Sequence, residues 1–163
     1  MADVIVAGAG PAGATAALLL ARAGYEPLII DRSTFPRTKA CGEYLNAGSV
    51  RILHELDVAS RLTPSVLHGI RLSGNGVRTQ LRFSEPGWAV PRIELDDVLL
   101  KAALEAGAQL VTGRVEDVRD SPESVSIWLR EGDGVRTLQA PILIGADGLH
   151  SIVAKKCGLT AQP

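Results

Sequence analysis

The chain contains 163 residues, of which 46% are hydrophobic and 21% are charged, and its formal net charge is -1. These values are ordinary for one soluble globular domain. The balanced charge, with no basic block interleaved with aromatic residues, argues against a nucleic-acid module and against a general attraction to acidic membranes.

The start of the chain has the pattern of a β-α-β unit. Asp3 to Ala7 is a short β-branched run, which is typical of a buried parallel strand. Gly8 to Gly13 interrupts the run, and Pro11 to Ala23 is rich in alanine and leucine, with proline in the first turn where a helix tolerates it. Pro27 to Ile30 predicts a second buried strand, which ends at Asp31.

The next part of the chain is mixed. Residues 32–45 have no regular pattern and predict a long loop, and long loops in compact domains are often functional. Asn46 is placed to cap a following helix. His68 to Ser73 and Val77 to Phe83 alternate apolar and polar residues around a Gly-Asn-Gly turn, which predicts a β-hairpin, and Trp88 to Arg92 predicts extended chain.

The rest of the chain, from Glu94 onward, contains one helix, several strand patterns and a second glycine turn before a final short helix. The predicted bounds are Glu94 to Ala106 for a helix, Gln109 to Thr112 and Arg114 to Val118 for two strands, Val125 to Leu129 and Val135 to Leu138 for a hairpin, Pro141 to Ile144 for an apolar strand, and about Ser151 for the start of a short helix. We therefore expect an α/β fold, a Rossmann-like domain with a parallel sheet and an antiparallel β insertion.

The first glycine turn carries the clearest chemistry. Gly8, Gly10 and Gly13 fit the GxGxxG pattern between a strand and a helix. The first glycine makes the tight turn, the second lets a pyrophosphate approach the backbone, and the third lets the helix pack closely on the strand. Pro11 and Ala12 open the helix, whose free N–H groups and positive dipole end favour phosphate. This turn predicts a dinucleotide site.

An acidic residue supports that site. Asp31 follows the second strand, where a carboxylate accepts hydrogen bonds from the adenosine ribose. Arg32 beside it either contacts the adenine or a phosphate, or is an ordinary exposed arginine. On these residues alone, NAD and FAD are equally good candidates.

No targeting segment or metal pattern is expected. The apolar stretch from Ala12 to Ala21 is too short to span a bilayer and follows a glycine loop rather than a positively charged region. Cys41 and Cys157 form neither a CxxC pair nor a zinc-ligand cluster. We expect a cytoplasmic protein with reduced thiols, without a transmembrane segment and without a metal.

Three further segments carry a family resemblance. Arg37 to Glu43 resembles the RxKxCG segment of the geranylgeranyl reductase-like flavoproteins and of related flavin-dependent halogenases. Arg92, with Leu95 and Asp96 after it, resembles the arginine-plus-helix segment of the same superfamily. Gly145 to Ser151 resembles the second FAD fingerprint, GADGxxS, of the para-hydroxybenzoate hydroxylase-like superfamily.

The resemblance implies FAD, bound tightly but non-covalently, and assigns roles to further residues. It implies that Arg37 contacts the cofactor and that the backbone of Cys41 and Gly42 lies along the flavin; a reactive Cys41 thiol is the rival interpretation. It implies that Arg92 pairs with a phosphate or a flavin oxygen, the alternative being an ion pair with Glu94.

Two more segments have roles by the same resemblance. It implies that the backbone at Val115 meets the adenine. It also implies that the turn at Asp147 and Gly148 packs against the flavin and an arriving nicotinamide. An ordinary Asp-Gly turn is the alternative for this last pair.

The chain departs from the family in two respects. Lys155 and Lys156 follow Ala154 where the family usually has an arginine after the serine of GADGxxS, and the third fingerprint, a Gly-Asp-Ala segment, is not present. We therefore expect a fold that is incomplete at its C-terminus: residues 1–163 form the FAD-binding domain in the N-terminal portion of a longer flavoprotein, with about 68–90 belonging to a substrate-side β insertion.

The resemblance implies an FAD-dependent oxidoreductase that uses NAD(P)H or another donor, most like a geranylgeranyl reductase acting on an isoprenoid double bond. The substrate is then a small hydrophobic molecule, with peripheral membrane contact left open for the full-length protein. Three alternatives stay open: a flavin monooxygenase or halogenase, a NAD-dependent dehydrogenase, and a non-catalytic nucleotide-binding fragment. The sequence presents no acid–base pair or nucleophile to which catalysis could be assigned, and it does not predict the oligomeric state.

Overall fold

The computed structural model of the chain describes residues 2–159. In chain order the elements are β1 (Val4–Ala7), α1 (Pro11–Arg22), β2 (Pro27–Asp31), β3 (Tyr44–Leu45), α2 (Ala47–Glu55), β4 (Ser65–Gly74), β5 (Val77–Ala89), α3 (Arg92–Glu105), β6 (Gln109–Thr112), β7 (Arg114–Asp120), β8 (Val125–Glu131), β9 (Gly134–Ala140), β10 (Ile142–Gly145) and α4 (Ile152–Lys156), with one turn of 3₁₀ helix at Ala59–Arg61.

A four-stranded parallel sheet forms the centre of the fold. Its strand order is β10-β1-β2-β6, so the chain leaves β1 towards β2 on one side and returns to β10 on the other. This reversal of direction at β1 is the switch point at which open α/β sheets bind their ligands, outside the carboxyl ends of the strands. The expected α/β fold with a parallel sheet and an antiparallel insertion is confirmed.

The central sheet is buried on both faces. Val4 and Val6 face one core and Ile5 and Ala7 face the other, because successive side chains of a strand point to opposite sides. Burial on both faces explains why the sequence of β1 is a continuous apolar run. The first core lies against α1 and α3, and the second lies against the antiparallel sheet β7-β8-β9. The result is three layers with the carboxyl edge of the parallel sheet left open.

The predicted hairpin is confirmed and is longer than expected. β4 and β5 are joined by Asn75 and Gly76, both with positive φ (48° and 77°), as the preferred two-residue hairpin turn requires. The predicted helix cap is also confirmed, since Asn46 Oδ1 accepts a hydrogen bond from the Ser49 backbone at 2.8 Å.

Two local predictions were wrong. Arg92 is not extended but begins α3, because the carbonyl of Pro91 already accepts hydrogen bonds from the backbone of Glu94 and Leu95, both at 3.0 Å. Within the loop of residues 32–45, Tyr44 and Leu45 form a short strand that pairs with β5.

Within residues 2–159, no helix is both long and apolar enough to cross a membrane.

Candidate cofactor-binding site

A cleft of about 670 Å³ opens at the carboxyl edge of the parallel sheet. This volume lies within the ordinary range for small-molecule sites. Its walls come from the ends of β1, β2, β6 and β10, and from the segments that follow them. The lining residues are Ala7, Gly8, Gly10, Ile30, Asp31, Arg32, Ser33, Arg37, Thr38, Lys39, Gly113, Arg114, Val115, Ala146, Asp147, Leu149, His150 and Ile152.

The two glycine turns interlock at the base of the cleft. Gly8 has φ of +106°, and a Cβ atom there would overlap the Ala146 carbonyl of the second turn. A Cβ atom on Gly13 would overlap the Gly8 carbonyl and lie 3.2 Å from the Ala146 Cβ. These two glycines are therefore required by the protein itself, for the tight turn and for close packing of α1.

Gly10 is different. Its φ of -71° suits any residue, and a Cβ atom there would meet only the far end of the Arg37 side chain, at an ordinary 3.6 Å. The protein's own structure therefore does not require glycine at this position, which lines the cleft at the start of α1. A ligand that approaches this backbone closely would require it, as a pyrophosphate does in dinucleotide sites.

Asp31 anchors the same turn. Its Oδ2 accepts a hydrogen bond from the Ala9 backbone at 2.8 Å, and its Oδ1 accepts one from the Ser33 backbone at 2.9 Å. The carboxylate therefore ties β2 to the glycine turn. Each oxygen has a second lone pair available, so the residue retains capacity to accept a ribose hydroxyl.

The cleft is rich in positive charge. Arg32, Arg37, Lys39 and Arg114 line it, against the carboxylates of Asp31 and Asp147. Sequence interpretation did not select the other lining residues, which are Ala7, Ile30, Ser33, Thr38, Lys39, Gly113, Arg114, Ala146, Leu149, His150 and Ile152. Lys39 could have been selected as the lysine of the quoted RxKxCG segment, and Arg114 as the neighbour of Val115.

Arg37 is held between two carboxylates and an aromatic ring. Its Nη2 lies 3.4 Å from Asp96 Oδ2 and 3.8 Å from Asp31 Oδ2. Its guanidinium carbon sits 4.8 Å from the centre of the Phe35 ring, a distance typical of cation–π contact. Its Nε is buried and, within the described part of the chain, has no hydrogen-bond partner. Buried donors are nearly always satisfied, so an acceptor from a ligand or a water molecule would complete the hydrogen bonds of this guanidinium.

Arg92 lies outside the lining of the cleft. Its fork is engaged by Asp96, to which Nε donates at 2.8 Å and Nη2 at 2.9 Å. The alternative ion pair with Glu94 is wrong, because the Glu94 carboxylate instead accepts a hydrogen bond from the Thr63 backbone at 2.6 Å.

Cys41 and Gly42 also lie outside the cleft lining, and Cys41 is exposed. The Cys41 Sγ accepts a hydrogen bond from the Glu43 backbone at 3.4 Å. This bond, followed by the neighbouring Arg92 side chain, lowers the pKa of the Cys41 thiol below its usual value. The structure thus gives the reactive-thiol interpretation a physical basis that the sequence did not offer.

The second glycine turn is fastened by Asp147. Its carboxylate accepts hydrogen bonds from the Ser151 hydroxyl and from the backbone of Ile152 at 2.6 Å and Val153 at 3.3 Å. These are free N–H groups at the start of α4, so the carboxylate caps that helix. Gly148 follows with φ of +86°, and a Cβ atom there would lie 3.7 Å from Lys39 Nζ.

The structure brings most of the candidate residues to one place. The seven that line the cleft are Gly8, Gly10, Asp31, Arg32, Arg37, Val115 and Asp147. Pro11, Ala12 and Gly13 form the first turn of α1 directly behind it. Across residues 2–159, no group of three or more histidine, cysteine or acidic side chains is arranged to hold a metal ion.

Comparison with known proteins agrees with this geometry. A family model described as an FAD binding domain matches residues 1–163. The chain belongs to this FAD binding domain family. The resemblance drawn from the segments at Arg37, Arg92 and Asp147 is confirmed, and the cofactor of the domain is FAD.

Two curated relatives are reductases by name. The chain is 42% identical over 166 residues to a menaquinone reductase of Mycobacterium tuberculosis, covering 96% of the chain and 40% of the relative. It is 33% identical over 168 residues to a geranylgeranyl diphosphate reductase of Rhodobacter capsulatus, covering 99% of the chain and 41% of the relative. The chain thus spans about two-fifths of the length of these relatives.

A solved structure has the same fold. The flavin-dependent brominase Bmp2 superposes with a TM-score of 0.84 at 26% identity, covering 97% of this chain and 40% of that chain. The FAD-binding fold is therefore shared between proteins named as reductases and a protein named as a halogenating enzyme.

Proposed function

We propose that this chain is the FAD-binding part of an oxidoreductase that reduces a double bond of an isoprenoid substrate, with NAD(P)H or another donor as the source of electrons. The identity to two proteins named as reductases, 42% and 33%, carries this proposal, against 26% to the brominase. Both reductase names refer to compounds that carry an isoprenoid chain, so the substrate is small and hydrophobic.

The residues present fit FAD. The bare backbone at Gly10 and the N-terminus of α1 receive the pyrophosphate, and Arg37, whose Nη2 would lie 3.6 Å from a Cβ atom on Gly10, pairs with it. Lys39, Arg32 and Arg114 add positive charge along the cleft. This charge offsets the cost of taking an anion out of water.

The adenosine end lies between β2 and β7 in this proposal. Asp31 accepts the ribose hydroxyls while it keeps its bond to the Ala9 backbone. Val115 lies beside Arg114 at the start of β7 and lines the same cleft, which supports the proposed contact of its backbone with the adenine. The turn at Asp147 and Gly148 offers its backbone to the flavin end, since the Asp147 carboxylate is engaged by α4.

Bound FAD supplies electron and hydride transfer at its ring system. The side chains of the chain bind and orient: cations hold the phosphates, Asp31 fixes the ribose, and the interlocked glycine turns keep both binding loops in register. Arg92 and Cys41 are kept as candidate contacts at the flavin end, beyond the cleft lining.

Residues 68–90 are proposed to form the substrate side. Ile70 pairs with Leu81 across the hairpin, and both side chains are about half exposed or more, at 47% and 60%. Leu72 and Val77 extend the exposed apolar residues of this hairpin, at 57% and 68%. Exposed apolar surface of this kind marks an interaction or ligand site, and a hydrophobic substrate suits it.

We also propose a cytoplasmic location, where the exposed thiols of Cys41 and Cys157 would stay reduced.

A second candidate function is halogenation or hydroxylation. The fold shared with the brominase favours it, with the TM-score of 0.84.

The first experiment titrates the chain with FAD and follows quenching of flavin fluorescence. Saturable binding with a flavin absorbance spectrum supports the cofactor assignment and eliminates a NAD-dependent dehydrogenase.

The second experiment uses the full-length protein with NADPH, NADH or a chemical reductant, and an isoprenoid quinone or geranylgeranyl diphosphate. Anaerobic loss of a substrate double bond supports the reductase, whereas strict dependence on oxygen supports a monooxygenase or halogenase instead. A full-length protein that binds FAD but turns over neither way is a non-catalytic flavin binder.

A further inference from the structure

The buried carboxylate of Asp96 lies next to a residue of the cleft lining, Arg37, and no sequence motif assigns it a contact with the cofactor. Asp96 on α3 is 0% exposed, and among residues 2–159 it is the one polar or charged residue in the buried class. A carboxylate removed from water is stable only when it is paired and hydrogen-bonded. Its partners therefore define what the residue does.

Two arginines from separate segments meet at this one carboxylate. Arg92 donates two hydrogen bonds from the same helix, at 2.8 Å and 2.9 Å. Arg37 approaches from the loop after β2, with Nη2 at 3.4 Å from Oδ2. The Arg92 fork takes up both oxygens, so Asp96 is held rigidly and presents a fixed edge to Arg37.

Three neighbours restrain the Arg37 guanidinium. Its Nη2 lies 3.4 Å from Asp96 Oδ2 and 3.8 Å from Asp31 Oδ2, and its guanidinium carbon sits 4.8 Å from the centre of the Phe35 ring. Gly10 adjoins the same nitrogen, since a Cβ atom on Gly10 would lie 3.6 Å from Nη2, and both residues line the cleft. The unpartnered Nε is the donor left over when these contacts are made.

We propose that Asp96 is a positioning residue: it fixes the Arg37 guanidinium so that Nη2, next to Gly10, is held in place for the pyrophosphate of FAD before the cofactor arrives. This inference rests on the proposed binding of FAD in the cleft. It assigns to Asp96 a part in cofactor binding although no residue of α3 lines the cleft.

The negative charge of Asp96 and its positioning role have opposite effects on the affinity for FAD. The direction in which the affinity changes therefore tests the inference. As a negative charge near the phosphates, Asp96 weakens anion binding through Coulomb repulsion. As a positioning group it strengthens binding, because the entropy of ordering a long arginine side chain is lost before FAD binds. Neutralising Asp96 without changing its shape therefore separates the two effects.

The experiment measures the FAD dissociation constant of the chain with Asp96→Asn. We expect the constant to rise by roughly tenfold or more, as when one charge-assisted hydrogen bond to phosphate is lost. Arg37→Gln should weaken binding similarly, and the double variant should bind no more weakly than Arg37→Gln alone. Tighter or unchanged binding by Asp96→Asn, or additive losses in the double variant, overturns the inference.

Asp97→Asn is the matched control. It removes the same charge from the next residue of α3, whose carboxylate pairs with Lys101 at 2.7 Å instead of with Arg37. Its affinity for FAD should match that of the unmodified chain. If the unmodified chain itself binds no FAD, the proposed cofactor site fails; if it binds and Asp96→Asn binds equally, only the positioning role fails.

A measurement on the unmodified chain covers the case in which Asp96→Asn does not fold. The Nε–H signal of Arg37 in a ¹⁵N spectrum, assigned by its absence in Arg37→Gln, should be sharp without ligand and should shift when inorganic pyrophosphate is added. A signal averaged by free rotation before addition, or one that pyrophosphate leaves in place, contradicts a guanidinium that is fixed in advance.

Discussion

The carbonyl of Ala146 occupies the space that a side chain on Gly8 would need. These two residues lie at the ends of neighbouring parallel strands, β1 and β10, and the Ala146 backbone N–H donates to the Ala7 carbonyl at 2.7 Å. The first and second FAD fingerprints are therefore one packed unit, and a change in either turn is felt by the other.

Gly8→Ala should destabilise the chain by more than about 2 kcal/mol, because it adds both backbone strain at positive φ and a collision with backbone that cannot move away. Urea unfolding followed by circular dichroism measures the loss. Gly24→Ala is the matched control, since Gly24 also has positive φ (+89°) but nothing within 4 Å of an added Cβ. Equal losses at both positions would show that the interlock contributes nothing.

Gly10→Val should abolish FAD binding and leave the fold intact. The side chain would stand where the pyrophosphate approaches the backbone, whereas the protein itself offers only the movable end of Arg37 as a neighbour. Fluorescence titration with FAD and a thermal melt without FAD test the two halves of this statement. An unchanged affinity would sink the proposed site.

Asp147→Ala should lower stability by about 1–2 kcal/mol, the usual cost of losing a helix cap. The carboxylate receives the first N–H groups of α4 as well as the Ser151 hydroxyl. Thermal unfolding without FAD is the measurement, and Asp120→Ala at the exposed end of β7 is the control. Unchanged stability with lost FAD binding would instead assign the carboxylate to the cofactor.

Cys41 should react with iodoacetamide at lower pH than an ordinary thiol. Its pKa is lowered by the Glu43 backbone and then by Arg92, so at any pH below the usual thiol range more of it is thiolate, the reactive form. Rates measured against pH in a Cys157→Ser background give the midpoint. Replacing Arg92 by glutamine should move that midpoint upward; a midpoint at the ordinary thiol value before replacement contradicts the lowered pKa.

Local patterns were sufficient for the strands of the parallel sheet and for the glycine turn. The run at residues 4–7 is apolar on both faces of the sheet, and the Gly-Asn-Gly hairpin turn depends only on its own φ angles. The start of α3 was misplaced because Pro91 is compatible with both extended chain and a helix boundary, and the hydrogen bonds to its carbonyl decide between them.

The site was predictable only where a motif carries its own backbone geometry. The role of Asp96 depends on Arg37, far away in the sequence, so no local spacing reveals it. Asp147 was assigned to the flavin from the family pattern, yet its carboxylate faces α4, because Ser151 and the backbone after it form the start of a helix there. Arg114 is ordinary as a residue type and becomes part of the cleft only through the alignment of β6 with β2.

The walls of the cleft come from four short segments, residues 7–10, 30–39, 113–115 and 146–152, which are spread along almost the whole chain. During synthesis, the first glycine turn, which we propose receives the pyrophosphate, emerges long before β10, the strand that closes the cleft from the other side. Contacts so distant in sequence form slowly, because a long loop must close before they are made. If FAD binds in this cleft as proposed, the cleft is complete only once β10 has paired with β1, and binding of the flavin would report that this pairing has taken place.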